Sequence, residues 1–272
     1  MNARRTAIFI LLVALVGLFL SPFGWLVITA LKSPEELAAV PVHWLPKSIR
    51  PGNFVEALTS IPFLGYARNS LMISGIYSVL VTLSSAWVGF GFARLSAPGK
   101  RVLFTVLLGT MMMPQIITLI PTYLIFAKAG MVDTYWPWVL WGVSGAAYLI
   151  FLFRQFFANL PQELEEAAVI DGCGYPRIFW RIFIPQSWPV LAASLVLSFT
   201  WSWGDFVGPA LLLSTDRTTL AVAISTLYAN PQGLPINNLM AAGSILYILP
   251  VLVLFLFAQR GFVAGFSTSG LK

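Results

Sequence analysis

Many of the side chains able to do polar chemistry sit close together. Glu163, Glu165, Glu166 and Asp171 are four of the chain's ten acidic residues, and Arg177 and Arg181 follow shortly after. His43 is the single histidine and Cys173 the single cysteine. One imidazole and one thiol, far apart in sequence, provide no zinc ligand set, no internal disulfide and no nucleophile with a base beside it. A Gly-x-x-x-x-Gly-Lys-Ser/Thr loop for cradling nucleotide phosphates is absent as well. The chain therefore reads as non-catalytic, and its carboxylate cluster as a recognition surface.

The order of residues around that cluster, 159–185, predicts a helix, a turn and a second helix. Pro161 suits a first helical position, and the three glutamates fall in opening turns where negative charge complements the positive end of the helix dipole. Gly172 and Gly174 offer a stop, and Pro176 opens a second helix that runs to Pro185. Small Ala167 and Ala168 admit a close neighbour, while Ile170, Tyr175, Ile178 and Phe179 add apolar area. Two readings fit: a knob that docks into a partner protein, or an amphipathic hairpin resting on lipid.

Elsewhere, Asp205 in Ser202-Trp203-Gly204-Asp205-Phe206 interrupts an apolar run, where an acid is expensive and so marks a function. With Trp203 it either faces a solute path or pairs structurally with another subunit. Pro114, followed by Gln115, and Pro121 each delete a backbone hydrogen bond. The bend they allow either exposes backbone to a hydrated cavity or is a fixed kink. Gly75, Gly89 and Gly91 suit close helix packing.

The elements that must hold these residues are membrane helices. Hydrophobic residues make up 58% of the 272 and charged residues 10%, with a mean hydropathy of +0.84, too apolar for a soluble core. Six apolar runs, roughly 7–31, 68–93, 102–127, 136–157, 186–213 and 240–260, have the ~20-residue length needed to cross ~30 Å of hydrocarbon. The expected fold is all-α: a polytopic membrane protein of six transmembrane helices forming one domain, 1–272, with the hairpin between spans four and five. The first run exceeds a signal-peptide core and ends in Leu31-Lys32-Ser33-Pro34 without a small-x-small pattern, so it reads as a retained helix. The proline-rich stretch from Lys32 to Ala67 reads as an irregular outer cap with one helical turn. Trp136, Trp138 and Trp141 read as an interfacial aromatic belt.

The net charge is +6 and the pI about 9.7, yet the basic residues are scattered between apolar runs. That pattern speaks of membrane topology and against nucleic-acid binding. With the first end inside, Arg4, Arg5, Arg94, Lys100, Arg101, Arg154, Arg177, Arg181, Arg260 and Lys272 lie on the cytoplasmic side, ten of the sixteen. Both termini are expected to be cytoplasmic.

Glu166-Ala167-Ala168, then Asp171-Gly172, and finally Ile182-Phe183-Ile184-Pro185 resemble the "EAA" loop of bacterial ABC importer permeases. Ile184 stands where the family usually has Leu, and Cys173 where Ala is common. The resemblance covers nearly the whole chain, which is similar to the second, six-span membrane subunit of the maltose-type carbohydrate-uptake group. It is carried further by Phe153-Arg154-Gln155-Phe156-Phe157, Met113-Pro114-Gln115 with Ile120-Pro121, Asp133-Thr134-Tyr135-Trp136 and the ending Gln259 to Gly265. Gly204 departs from the family's frequent Trp-Asn-Asp-Phe.

This resemblance implies that Glu166, Ala167, Ala168, Asp171 and Gly172, with Tyr175 and Pro185, form the surface that couples to an ATPase subunit. It also implies a second homologous permease, two ATP-binding subunits, an extracytoplasmic solute-binding protein and a bacterial inner membrane. ATP and Mg would belong to the partner subunits and no cofactor to this chain. The solute would be a sugar, with a sugar phosphate or polyol as alternatives, and the tail 266–272 would reach the ATPase pair. The rival is an ion-coupled carrier or a polytopic membrane enzyme acting without an ATPase. A carrier would keep several buried ionisable residues, whereas Asp205 is nearly solitary.

Overall fold

A computed structural model describes the backbone of residues 3–269, and the side chains of 4–259 apart from Gln115 and Ala258. The tail 266–272, expected above to reach a partner, lies outside the described side chains. Among the described residues there is no strand, and the extended pairing is one bridge between Ala229 and Pro235. The helices are α1 (Ala3–Ala30), α2 (Pro34–Ala38), α3 (Gly52–Thr59), α4 (Phe63–Arg94), α5 (Lys100–Thr110), α6 (Gln115–Lys128), α7 (Trp136–Ser144) and α8 (Ala147–Ala158). They continue with α9 (Glu163–Ile170), α10 (Tyr175–Ile178), a π-helical turn at Phe179–Phe183, α11 (Ile184–Gln186), α12 (Trp188–Trp203), α13 (Val207–Leu212), α14 (Leu220–Leu227) and α15 (Asn237–Ser269).

Among the described residues, four stretches are long and apolar enough to cross a membrane: Arg4–Ala30, Phe63–Arg94, Trp136–Ala158 and Asn237–Phe257. Tyr175–Gln186 and Trp188–Trp203 make a fifth if the two, which meet at 84°, count as one. The apolar run 102–127 is not one helix. Its ladder ends at Met111–Met113, and Pro114, lacking an N–H, takes an extended ψ of 129° before α6 begins. Pro121, by contrast, is carried inside α6. The run 186–213 is likewise divided, at Gly204–Phe206 between α12 and α13.

The span Trp136–Ala158 also contains a break, at Gly145 with φ 75°. Backbone groups freed inside a membrane need partners, and two adjacent serines of α4 provide them. Ser84 donates its hydroxyl to the Gly142 carbonyl at 2.7 Å, and Ser85 accepts the Ala146 N–H at 3.0 Å.

The chain forms two compact units, one of Met1–Ala67 with Thr219–Leu249, the other of Arg68–Thr218 with Pro250–Lys272. In the first, Ala30, Ala57, Ile61, Phe63, Leu220 and Leu239 share a core. The Asn53 amide donates to the carbonyls of Ala30 and Lys32, both at 2.8 Å, capping the end of α1. The segment 32–67, expected to be an outer cap with one helical turn, holds two short helices, α2 and α3. In the second unit, one core gathers Phe90, Phe153, Phe157, Phe179 and Phe183, and another gathers Ile73, Phe126, Trp138 and Leu212.

Candidate functional site

The second unit carries two features built from the residues singled out above. The first is the hairpin. Glu163, Glu165 and Glu166 occupy the first turn of α9. The helix closes through Asp171, Gly172 and Cys173, whose N–H groups bond the carbonyls of Ala167, Val169 and Ala168 at 3.0, 3.0 and 2.9 Å. Gly172 sits at φ 74°, a left-handed conformation that glycine adopts without strain and that ends the helix. Pro176 then starts α10 as expected.

One face of this hairpin is turned into the chain. Ile178, Phe179 and Phe183 are buried against Phe90, Phe153 and Phe157, and Phe90 meets Phe183 edge-on with centroids 4.8 Å apart. Ala168, 7% exposed, belongs to the same cluster. The outer face carries Glu166, Ala167, Asp171, Gly172, Tyr175 and Pro185, all exposed, beside Val169 and an Ile170 that is 85% exposed. Of the two alanines expected to receive a neighbour, Ala167 faces out and Ala168 packs inward.

The hairpin is also fastened by a charge. Arg94 ends α4 with its guanidinium buried. It donates through Nη2 to the carbonyls of Phe157 at 2.7 Å and Leu160 at 2.5 Å, and its Nε lies 3.7 Å from Glu165 Oε2. The sequence marked Arg94 only as a topology signal.

The second feature is a cavity of about 820 Å³. Asp205 borders it, with Tyr77 from α4, Thr118, Thr122 and Tyr123 from α6, Trp138, Trp141 and Ser144 from α7, and Trp201 and Ser202 from α12. The Asp205 carboxylate folds over the start of α13 and accepts the Gly208 N–H at 3.1 Å. A Cβ at position 208 would lie 2.5 Å from Asp205 Oδ2, so a side chain there would push the carboxylate aside. Trp203 does not border the cavity; it is 2% exposed and stacks on Phe199 at 5.5 Å. Pro114 is exposed outside the cavity, and the Gln115 side chain lies outside the described residues. Of the tryptophans expected as an interfacial belt, Trp136 is exposed, whereas Trp138 and Trp141 wall the cavity.

Rings and hydroxyls around one carboxylate give the cavity both apolar faces and hydrogen-bonding edges. The described residues that border the cavity include no Lys, Arg or His. No group of three or more His, Cys, Asp or Glu suited to a metal occurs among the described residues.

Comparison with known proteins agrees with this architecture. The chain is 32% identical to the arabinooligosaccharides transport system permease protein AraQ of Bacillus subtilis, over all of this chain and 97% of that one. It is 31% identical to the melibiose/raffinose/stachyose import permease protein MelC of the same organism, over the full length of both. Among solved structures, a chain of a bacterial ABC transporter involved in the import of the acidic polysaccharide alginate superposes with a TM-score of 0.78, at 22% identity, over 96% of this chain and 98% of that one. That likeness speaks to the fold. Residues 78–264 match the binding-protein-dependent transport system inner membrane component family. With several helices able to cross a bilayer, a family match over most of its length and full-length relatives among import permeases, this chain belongs to that family and is a multi-pass membrane protein.

Proposed function

We propose that this chain is the non-catalytic permease subunit of an ATP-driven importer for a sugar or sugar-like solute. It forms half of the translocation pathway beside a second homologous permease, with two ATP-binding subunits below and an extracytoplasmic solute-binding protein above. The relatives named for arabinooligosaccharides and for melibiose, raffinose and stachyose support the solute class. The hydroxyl- and ring-lined cavity supports it independently. In this reading the broken runs 102–127 and 186–213 each complete a crossing, giving six spans with both termini cytoplasmic.

The observation that carries the proposal is the hairpin. Its inner face is packed by phenylalanines, and its outer face offers an acidic first turn, Ala167 and the exposed Ile170. A packed element with an exposed, mixed acidic and apolar outer surface suits gripping by a partner. ATP and Mg act on the partner subunits, whose closure pushes the hairpin and shifts the bundle between inward- and outward-facing states, the ligands supplying the difference in stability.

Glu166→Lys and Gly172→Asp test this. Glu166→Lys reverses a charge on the outer face. Position 172 has open space around it, so Asp there adds charge and left-handed strain of about 1–2 kcal/mol without a clash. Both variants should reach the membrane at normal level yet lose the co-purifying ATPase or its solute stimulation. Unchanged solute-stimulated ATP hydrolysis in the purified assembly overturns the docking role.

A further inference from the structure

We infer that Arg94 is a positioning residue for coupling: it bolts the hairpin to the ends of α4 and α8, so that force applied at the exposed face moves those two helices with it. The inference rests on the proposal above that a partner grips the hairpin.

One buried guanidinium touches three elements. It is the last residue of α4, it donates to Phe157 in the last turn of α8 and to Leu160 in the link that follows, and it lies beside Glu165 in the first turn of α9. It also sits 5.1 Å from the centre of the Phe183 ring in the π-helical turn. The last carbonyls of a helix lack partners within the helix and carry the negative end of its dipole, so a cation with several donors is the complementary group there. At 3.7 Å, Glu165 is outside hydrogen-bond reach and contributes charge, while the two carbonyls take the directed bonds.

Without Arg94 the hairpin would be held by the apolar packing of Ala168, Ile178, Phe179 and Phe183. Apolar packing is non-directional and tolerates rocking, whereas the guanidinium, fixed by its bonds to the Phe157 and Leu160 carbonyls, sets a placed charge against Glu165 and a cation over the Phe183 ring. The route of the force matters because the hairpin does not continue α12 in a straight line. Tyr175–Gln186 meets Trp188–Trp203 at 84°, an angle across which a push on one helix is poorly transmitted along the other. The attachment at Arg94 bypasses that corner. Lysine keeps the charge but has no planar fork, so it can serve one or two of these acceptors with poorer geometry.

The experiment compares Arg94→Ala and Arg94→Lys with the parent in the complete importer reconstituted in proteoliposomes. Solute carried per ATP hydrolysed is measured together with the amount of co-purified ATPase. Amide exchange across 163–173 is followed in the same preparations. Arg94→Ala should leave the ATPase bound, accelerate exchange in α9 about tenfold or more, and lower the transport-to-hydrolysis ratio by about tenfold. Arg94→Lys should fall between. Should the alanine variant not assemble, the lysine variant carries the same comparison. Exchange that quickens with an unchanged ratio would show a purely structural role and overturn the inference, as would unchanged exchange. A parent assembly from which no ATPase co-purifies would overturn the docking proposal itself, and this inference with it. A bound ATPase with an unchanged ratio in Arg94→Ala sinks this inference alone.

Discussion

Glu165 and Glu166 are neighbours in the first turn of α9, yet Glu165 is turned toward the buried Arg94 at 3.7 Å and Glu166 toward the outside. The helix rotates each residue by about 100° from the last, so one carboxylate serves the chain and the next is free for a partner. Their neutralisation should therefore have different effects. Glu165→Gln removes the opposite charge beside a guanidinium that is 5% exposed, which should destabilise the hairpin by about 1–3 kcal/mol, between the surface and fully buried limits. Glu166→Gln should leave hairpin stability unchanged and weaken solute-stimulated ATP hydrolysis. Amide exchange in α9 and hydrolysis by the assembled importer separate the two; equal effects on both readouts would contradict this division.

Gly89 and Gly75 lie on the same helix, and both were expected to permit close packing. Only Gly89 meets that expectation: a Cβ there would stand 2.7 Å from Phe153 Cβ and 3.0 Å from the Ile150 carbonyl oxygen, whereas at Gly75 nothing lies within 4 Å. Gly89→Ala should force α4 and α8 apart and destabilise by about 1–3 kcal/mol, while Gly75→Ala should be neutral or slightly stabilising. Thermal unfolding of both variants in the same detergent checks the contrast.

These contrasts mark how far the sequence carries. The hairpin was legible because its signals are local: Pro176 opens a helix, Gly172 supplies a left-handed stop, and acids gather at the start. The interruption at Pro114 was only half legible, since Pro121 gave the same local signal and is carried inside α6. The break at Gly145 was not, because it survives through Ser84 and Ser85, about sixty positions away. Rotation about a helix axis was equally hidden. Trp201 and Trp203 are both aromatic and two positions apart, so they point about 200° from each other, and only tertiary packing decides that Trp201 meets the cavity. Ala167 and Ala168 divide in the same way. Arg94 looked like any basic residue at a membrane edge, since its acceptors are backbone carbonyls more than sixty positions away.

Asp133 links the loop before α7 to the loop after α13. Its carboxylate accepts the Ser214 N–H at 2.9 Å and the Ser214 hydroxyl at 2.7 Å, and Arg217 Nε lies 3.8 Å away. The two Ser214 donors, and after them the Arg217 charge, hold the carboxyl below its usual range. A carboxyl depressed in the folded state lends stability above its unfolded value of about 4, and that stability is lost as pH falls through the lower folded value. Exchange at the Ser214 amide should therefore quicken, beyond its intrinsic pH dependence, as pH falls below about 4 in the parent. Asp133→Asn keeps an acceptor without a titratable charge and should show no such extra dependence. Parallel pH profiles for the two proteins would refute the link.

Asp205 serves two ends that substitution can part. Its carboxylate caps α13 through Gly208 and also borders the cavity. Asparagine caps a helix about as well as aspartate but carries no charge. Asp205→Asn should therefore preserve folding and ATPase docking while lowering solute transport about tenfold, the scale expected where one charge-assisted hydrogen bond to a solute is weakened. Asp205→Leu removes the cap as well and should add a loss of thermal stability of about 1 kcal/mol. Transport in reconstituted vesicles, measured beside the melting temperature of each variant, distinguishes the roles. Full transport by the asparagine variant with a destabilised leucine variant would reduce Asp205 to a helix cap and leave the rings and hydroxyls of the cavity to meet the solute.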